Sequence, residues 1–188
     1  MKAELINYVD HWQEVKDAAM NTIGKESGKY PDSAWKKRIL LAEHSPIRLL
    51  TFTIRLTDIP YFCSTHFCRH HEGVTHFVST QRTDRTGIDR DKLPQDALVT
   101  HTMVLNAQAM INISRKRLCS QADKTTRLVW NEVLQTLYDL EPELWSACVR
   151  ECVYRNFCPE MRSCGYCGSD LWKVERKVYL GVGECSNN

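Results

Sequence analysis

Apolar and polar residues alternate along residues 50–57, which is the clearest periodic pattern in the chain. The apolar positions are Leu50, Phe52, Ile54 and Leu56. A period of two predicts a β-strand with one buried face, because successive side chains of a strand point to opposite sides of the sheet. A second strand is predicted from Val74 to Gln81. Between the two, Pro60 favours the start of a helix from Tyr61 to His70.

Apolar residues that recur every three or four positions predict helices elsewhere. The first predicted helix, which Gly24 is placed to end, is marked by Leu5, Val9, Trp12, Val15 and Ala19. Ser33 is the predicted cap of a second, short helix that runs through Leu40. A long helix is predicted from about Pro94 to Leu118, and a further one from Leu128 to Tyr138.

The composition is that of an ordinary globular protein. With 188 residues, 43% of them hydrophobic and 26% charged, the chain is long enough to bury one sizeable core. We expect a single domain over residues 1–147 and a cysteine-rich tail, residues 148–188, packed on it. The net charge of +2 argues against nucleic acid and membrane partners. The amino terminus lacks the apolar core of a signal peptide, and no apolar run could span a bilayer, so we predict a cytoplasmic protein.

The segment from Cys68 to Arg82 concentrates cationic, imidazole and hydroxyl side chains. Arginine binds phosphate oxygens bidentately, serine can complete an anion site, and histidine can donate to or stack on a heterocycle. This mixture favours a phosphorylated, aromatic ligand, and we predict a nucleotide site. The alternative is that His70, His71 and His76 are ordinary polar residues beside a strand, with Arg82 on a solvated loop.

Nine cysteines in a chain without an export signal indicate reduced thiols or metal ligands rather than a disulfide framework. The four that could form a tetrahedral zinc knuckle are Cys152, Cys158, Cys164 and Cys167. Only the last two have the compact two-residue gap that metal sites favour. The alternative is that the tail cysteines are buried small hydrophobic residues, the commonest state of a free cysteine.

Several motifs occur in a fixed order between Glu43 and Arg127. Arg69-His70-His71 is followed, after seven residues, by Ser79-Thr80-Gln81. In this spacing the chain resembles the flavin-dependent thymidylate synthases, whose members carry Arg-His-Arg and Ser-x-Arg at the same interval.

The resemblance extends on both sides of this motif. Upstream, His44-Ser45-Pro46 is similar to a turn that precedes an alternating strand in the family. Downstream, Asn106-Ala107-Gln108, Asn112 and Arg117 correspond to the asparagines and arginines of one long helix. Ala122 to Arg127 resembles a later Ala-x-x-x-x-Arg motif. Because these matches keep the same order over most of the chain, we expect the chain to share the fold of this family.

The resemblance implies an α/β (α+β) fold, an antiparallel sheet flanked by helices, in a homotetramer that binds FAD at subunit interfaces. The implied reaction is the reductive methylation of dUMP to dTMP, with methylenetetrahydrofolate as the one-carbon donor and NADPH as the reductant. Family members use no cysteine nucleophile on the pyrimidine. The protein therefore orients the reactants and stabilises charge, while the cofactors carry the difficult steps.

The resemblance also implies roles for residues by their position. The implied flavin-binding residues are His44, Arg69, His70, His71, Asn106 and Asn112. The implied nucleotide-binding residues are His66, Ser79, Gln81, Arg82, Arg90 and Arg117. Arg117 is the implied catalytic residue, because a cation over the uracil carbonyl would stabilise the charge that develops as C5 attacks.

The chain departs from the family pattern at four positions. His71, Gln81 and Gln108 stand where the family has arginine, and His66 stands where it has glutamine. Neither glutamine nor neutral histidine replaces a charged bidentate fork, so weaker phosphate and flavin contacts are expected. Two alternatives therefore stay open. One is methylation or hydroxymethylation of a related pyrimidine nucleotide, and the other is a non-catalytic, zinc-containing nucleic-acid-binding protein.

Overall fold

A four-stranded antiparallel sheet forms the centre of the protein. The computed structural model describes residues 1–181, and its strands are β1 (Lys2–Tyr8), β2 (Thr51–Pro60), β3 (Val74–Val78) and β4 (Leu98–Asn106). They lie in the order β1-β2-β4-β3, and each neighbouring pair is antiparallel. β2 and β4 are therefore central, and β3 lies at an edge.

Helices flank this sheet, which confirms the predicted fold class. In chain order they are α1 (Trp12–Asn21), α2 (Ser33–Leu41), α3 (Tyr61–Cys68), α4 (Thr83–Thr86), α5 (Ala107–Arg117), α6 (Lys124–Gln135), α7 (Pro142–Ala147), α8 (Glu151–Arg155) and α9 (Asp170–Leu180). The 3₁₀ turns are Ser45–Leu49 and Arg90–Lys92. Asp32, rather than the predicted Ser33, caps α2 by accepting from the Trp35 N–H at 2.7 Å.

The alternation predicted for β2 is confirmed by its burial. Phe52, Ile54 and Leu56 are buried, whereas Arg55 between them is exposed. The buried face packs with Met103 of β4 and with apolar residues of α5 and α6 in one core. An antiparallel sheet can leave its other face in contact with water, which explains the polar alternate positions.

The amino-terminal segment is a strand, so the first half of the predicted first helix is wrong. β1 pairs with β2, and the ring of Tyr8 stacks on that of Phe52 with 5.0 Å between their centroids. α1 begins only at Trp12, which is fully buried together with Val15. Strand pairing and aromatic stacking decide the conformation here, and local residue spacing reveals neither.

The long helix predicted from Pro94 to Leu118 is also wrong in its first half, where β4 lies. The residues that alternate on the buried face of β4 are Val99, His101, Met103 and Leu105. Asn106 then caps α5, and the Ala107 N–H donates to the Leu50 carbonyl oxygen at 2.9 Å. A central strand is stabilised by partners on both sides, and these override helical propensity.

The tail contains α8 and α9 and a small buried cluster of its own. The cluster consists of Val149, Cys152, Val153 and Tyr179. Arg150 pairs with Glu175 of α9, and the Trp172 indole donates to the Cys152 carbonyl oxygen at 3.2 Å. The domain boundary at residue 147 stays a prediction. Within residues 1–181, none of the helices has the length and apolar character that crossing a membrane requires.

Candidate functional site

Arg117, the last residue of α5, reaches the loop that follows α3. Its Nε atom donates to His70 Nε2 at 3.0 Å, and a terminal nitrogen donates to the His66 carbonyl oxygen at 2.6 Å. Two contacts in different directions fix the plane of the guanidinium group. The carboxyl ends of α3 and α5, which are far apart in sequence, therefore converge at this point.

Burial determines the protonation of this pair. Burial, reinforced by the positive charge of Arg117, lowers the pKa of His70 to about 4, so its ring is neutral at neutral pH. Because Nε2 accepts from Arg117, the ring proton lies on Nδ1. Burial and the nearby charge of Arg69 also lower the pKa of Arg117, but arginine starts so high that it stays charged. Arg117 is therefore a fixed cation.

A cleft of about 140 Å³ opens beside this pair, between the loop after α3 and the side of α5. Its polar lining residues are Arg69, His70, His71, Glu72 and Asn112. One exposed guanidinium, two imidazoles and an amide are donor groups suited to phosphate oxygens and heterocycles. Four of the residues assigned to the flavin by the sequence resemblance thus lie around one cleft.

Gly73 and Asn106 hold the loop of the cleft against β4. Gly73 has a φ of +70°, and a Cβ atom there would lie 2.6 Å from Asn106 Nδ2. The Asn106 N–H donates to the Gly73 carbonyl oxygen at 3.1 Å, and its side-chain oxygen accepts from the Ala109 N–H at 2.9 Å. Asn106 therefore positions the loop and the start of α5 together.

Glu43, which the sequence did not single out, binds polar side chains of α5. It accepts from Gln108 Nε2 at 2.6 Å and forms an ion pair with Arg115. The Asn112 side-chain oxygen accepts from Gln108 at 3.3 Å and from Arg115 at 3.4 Å. The amide nitrogen of Asn112 is therefore available to donate to a ligand in the cleft, whereas the amide nitrogen of Gln108 donates to Glu43.

The backbone of His66 contacts Arg117, and its ring contacts α6. The ring Nδ1 lies 2.8 Å from Thr126 Oγ1, and that hydroxyl also donates to the Asp123 carboxylate at 3.0 Å. Burial, with a contribution from the charge of Arg117, lowers the pKa of His66. His66 therefore orients Arg117, and its ring is held on the helix side.

A second polar cluster connects α3, β3 and β4. His76 Nε2 donates to the His70 carbonyl oxygen at 2.7 Å, and its Nδ1 accepts from His101 Nε2 at 2.9 Å. The Ser64 hydroxyl donates to His101 Nδ1 at 3.0 Å. Burial lowers the pKa of His101 to about 4, so this ring is neutral at neutral pH. His101 was not among the predicted site residues, because its segment was predicted to be helical.

Four predicted nucleotide ligands lie on an exposed or half-buried segment outside the cleft. They are Ser79, Gln81, Arg82 and Arg90. Ser79 continues the pairing with β4, since the Thr100 N–H donates to its hydroxyl at 3.1 Å. Arg82 forms a bidentate pair with Asp84 at 3.0 and 2.9 Å. His44, a predicted flavin ligand, is exposed before the first 3₁₀ turn.

Among the described residues, no three of Cys152, Cys158, Cys164 and Cys167 have sulfur atoms that all lie within 4.8 Å of one another. Their burial differs, with Cys152 buried, Cys158 and Cys167 half-buried, and Cys164 exposed. Across residues 1–181, the one group of potential metal ligands whose ligating atoms all lie within 4.8 Å of one another is Cys68, His76 and His101. The zinc knuckle of the tail therefore stays a prediction.

Several solved structures resemble this chain. No protein-family model and no curated protein matches it. The flavin-dependent thymidylate synthase ThyX from Helicobacter pylori, complexed with FAD and dUMP, matches with a TM-score of 0.63 and 12% identity, over 80% of this chain and 100% of that chain. A second structure of ThyX from this organism with FAD and dUMP matches over 79% and 99%, with the same TM-score and identity. The chain has the fold of the flavin-dependent thymidylate synthases.

This thymidylate synthase fold also occurs in a third similar structure. The UMP/dUMP methylase PolB from Streptomyces cacaoi, bound with 5-Br dUMP, matches with a TM-score of 0.63 and 15% identity, over 83% of this chain and 95% of that chain. At such low identity the likeness establishes the thymidylate synthase fold. The resemblance that the sequence motifs indicated is therefore confirmed for the fold.

Proposed function

We propose that this protein is a flavin-dependent methyltransferase that acts on a uracil nucleotide. The observation that supports this most directly is the Arg117 guanidinium, which His70 and His66 hold beside a cleft lined by His70 and Arg69. A fixed cation next to a second arginine suits an anionic or carbonyl-bearing ligand. The three similar structures contain dUMP or 5-Br dUMP, and two of them contain FAD.

The residues around the cleft fit a flavin nucleotide. Arg69 and the imidazoles of His70 and His71 are suited to phosphate oxygens, and the Asn112 amide nitrogen is suited to a ring carbonyl. We assign His44 to the margin of this site. Asn106 contributes indirectly, because it holds the loop at Gly73 and the start of α5 in fixed positions. When bound, the flavin supplies the hydride of the reductive step.

We assign Arg117 to the nucleotide. A guanidinium group has five N–H donors, of which His70 and the His66 carbonyl use two. The remaining donors are available for a carbonyl oxygen of the uracil ring. That oxygen carries negative charge when C5 is activated for attack as the carbon of an enolate, and a cation already in place stabilises this charge without reorganisation.

The exposed segment after β3 would complete the nucleotide site of a neighbouring subunit. Within one chain, the described hydrogen bonds of Ser79 and Arg82 go to Thr100 and Asp84 rather than to Arg117. Exposed ion pairs such as Arg82–Asp84 are weak, so a nucleotide phosphate can replace the carboxylate. We therefore propose a homotetramer in which Ser79, Gln81, Arg82 and Arg90 serve an adjacent cleft, where His66 and Arg117 also lie.

For the reaction, we propose methylation of dUMP to dTMP with methylenetetrahydrofolate as the one-carbon donor and NADPH as the reductant. UMP is the second candidate substrate, because the PolB structure that shares this fold is a UMP/dUMP methylase. Hydroxymethylation is the expected product if water, rather than hydride, captures the one-carbon adduct. The three outcomes differ in substrate or product and share the same site.

Two measurements test this function. An absorbance spectrum of freshly purified protein detects bound flavin, and release of tritium from the C5 position of the nucleotide detects substitution there. We expect flavin bands, together with tritium release from dUMP or UMP that requires methylenetetrahydrofolate. Mass spectrometry of the product separates methylation from hydroxymethylation. A colourless protein that also fails to bind added FAD would overturn the proposal.

A further inference from the structure

Cys68, His76 and His101 lie together behind the loop that carries His70. The thiol sulfur and one nitrogen of each imidazole all lie within 4.8 Å of one another. We propose that these three residues bind one zinc ion through the Cys68 thiolate, His76 Nδ1 and His101 Nε2. The site is distinct from the cleft and does not depend on the proposed function.

Strand register brings the two histidines together. His101 of β4 pairs with Val78, and His76 of β3 pairs with Met103, so the histidines are diagonal neighbours on the same face of the sheet. Their facing nitrogens are 2.9 Å apart. Cys68 is the last residue of α3, and this helix packs against β4. The three ligands therefore come from three elements that meet at one point.

Each imidazole has a partner for its second ring nitrogen, as zinc-binding histidines usually do. His76 Nε2 donates to the His70 carbonyl oxygen at 2.7 Å, which leaves Nδ1 with a lone pair for the metal. His101 Nδ1 lies 3.0 Å from the Ser64 hydroxyl, which can donate or accept. With zinc bound, His101 carries its proton on Nδ1 and donates to Ser64, and Cys68 releases its thiol proton to solvent.

The ligand set favours zinc over other ions. Thiolate and neutral imidazole are preferred zinc ligands, and three protein ligands leave a fourth position for water. The facing nitrogens of His76 and His101 must separate from 2.9 Å to about 3.3 Å, the spacing expected for tetrahedral zinc with Zn–N bonds of about 2.0–2.1 Å. Side-chain rotation can supply this movement. Because Cys68 is exposed, the ion has a route from solvent.

A zinc ion here would fasten the loop of the cleft at both ends. Residues 69–75 run between the ligands Cys68 and His76, and they include four of the residues that line the cleft. β3 is a five-residue edge strand with β4 as its one neighbour in the sheet. The ion would link β3 to α3 and β4, so we assign it a positioning role.

Cobalt titration of the full-length, chelator-treated protein tests this site, because Co²⁺ substitutes for zinc and shows a charge-transfer absorption when a thiolate binds it. We expect one cobalt per chain with a thiolate band, displaced by zinc. Cys68→Ser and His76→Gln should each abolish stoichiometric binding. Ser64→Ala should retain the band and weaken zinc affinity by about 10–100-fold. Cys164→Ser combined with Cys167→Ser, which removes the compact pair of the predicted tail knuckle, should still bind one cobalt with a thiolate band.

Two results would overturn the proposal. One is the absence of stoichiometric cobalt or zinc binding by the unaltered chain. The other is a thiolate band that persists in Cys68→Ser and disappears in the tail variant, with circular dichroism showing both variants folded. Cys68 is exposed, so its substitution should be tolerated, and His76→Gln gives a second test. Metal binding is measured without flavin or nucleotide, so its outcome is independent of the enzymatic proposal.

Discussion

The Nε atom of Arg117 donates to the Nε2 atom of His70 at 3.0 Å and thereby joins the end of α5 to the loop after α3. This contact involves a neutral ring and a charged group, both partly buried. The acceptor cannot neutralise the charge as a carboxylate would. Arg117 therefore keeps its full charge for a ligand while its orientation is fixed.

Replacing Arg117 by glutamine should lower kcat for the nucleotide by about 10²–10³, because a preorganised charged donor is lost from the transition state. We also expect weaker nucleotide affinity and unchanged flavin absorbance. Steady-state kinetics and a flavin spectrum measure these effects. Arg38→Ala, which removes an exposed arginine of α2, is the control and should behave like the unaltered chain. Unchanged kinetics in Arg117→Gln would remove Arg117 from the site.

Replacing Gly73 by alanine should destabilise the protein by about 2 kcal/mol or more, because the new Cβ atom meets the Asn106 side chain at a positive φ. Gly24→Ala is the matched control: its φ is +63°, but nothing lies within 4 Å of the added atom. We expect that control to cost about 1 kcal/mol. Urea unfolding measures both values, and equal losses would contradict the close contact.

Adding Asn106→Ser to Gly73→Ala extends this test. Serine is shorter than asparagine and can still cap α5, so it relieves the contact while keeping the helix start. The double variant should therefore be more stable than the sum of the two single effects predicts. Additive effects would show that the two side chains do not compete for the same space.

Replacing Glu43 by alanine should destabilise the protein by about 2 kcal/mol or more, because Arg115 and Gln108 lose their acidic partner in a partly buried setting. Asp84→Asn removes one member of the exposed pair with Arg82 and should change stability by less than about 0.5 kcal/mol. Chemical denaturation compares the two variants. Equal losses would mean that Glu43 is no more than a surface residue.

Stability should fall in acid partly because of Glu151. Burial raises the pKa of this carboxyl, but hydrogen bonds and charges from Arg155 and Lys116 lower it more, and the result lies below the ordinary value of 4.5. A lowered folded-state pKa contributes stability above the unfolded-state pKa, and this is lost as the pH falls through the folded-state pKa. Glu151→Gln should therefore be less stable at neutral pH and less sensitive to acid. The urea midpoints of Glu151→Gln and the unaltered chain, measured from neutral to acid pH, should converge at low pH. A constant difference between the two midpoints would exclude the effect.

Local periodicity was sufficient to predict β2 and α6, because in both segments one face is buried by neighbours and the other is polar. The helix α3 was predicted from Pro60, which favours a helix start. β1 and β4 could not be found in this way. Their conformation depends on pairing with β2, and β4 runs directly into a helix whose spacing masks the strand.

Part of the candidate site, like part of the fold, could be predicted from the sequence. The resemblance assigned His70 to the flavin and Arg117 to the nucleotide, and the structure brings these two residues into contact. The cluster of Cys68, His76 and His101 was not predictable, because it depends on the register between β3 and β4. Spacing along one chain does not fix the register of strands that are separated by a long connection.

His70 uses its ring and its main chain for different partners. The ring accepts from Arg117, and the carbonyl oxygen accepts from His76. A new side chain at this position leaves the carbonyl contact available, so the course of the loop does not rest on the imidazole alone. Position 70 is therefore a suitable target for directed evolution, where a saturation library could alter ligand preference while the surrounding scaffold is retained.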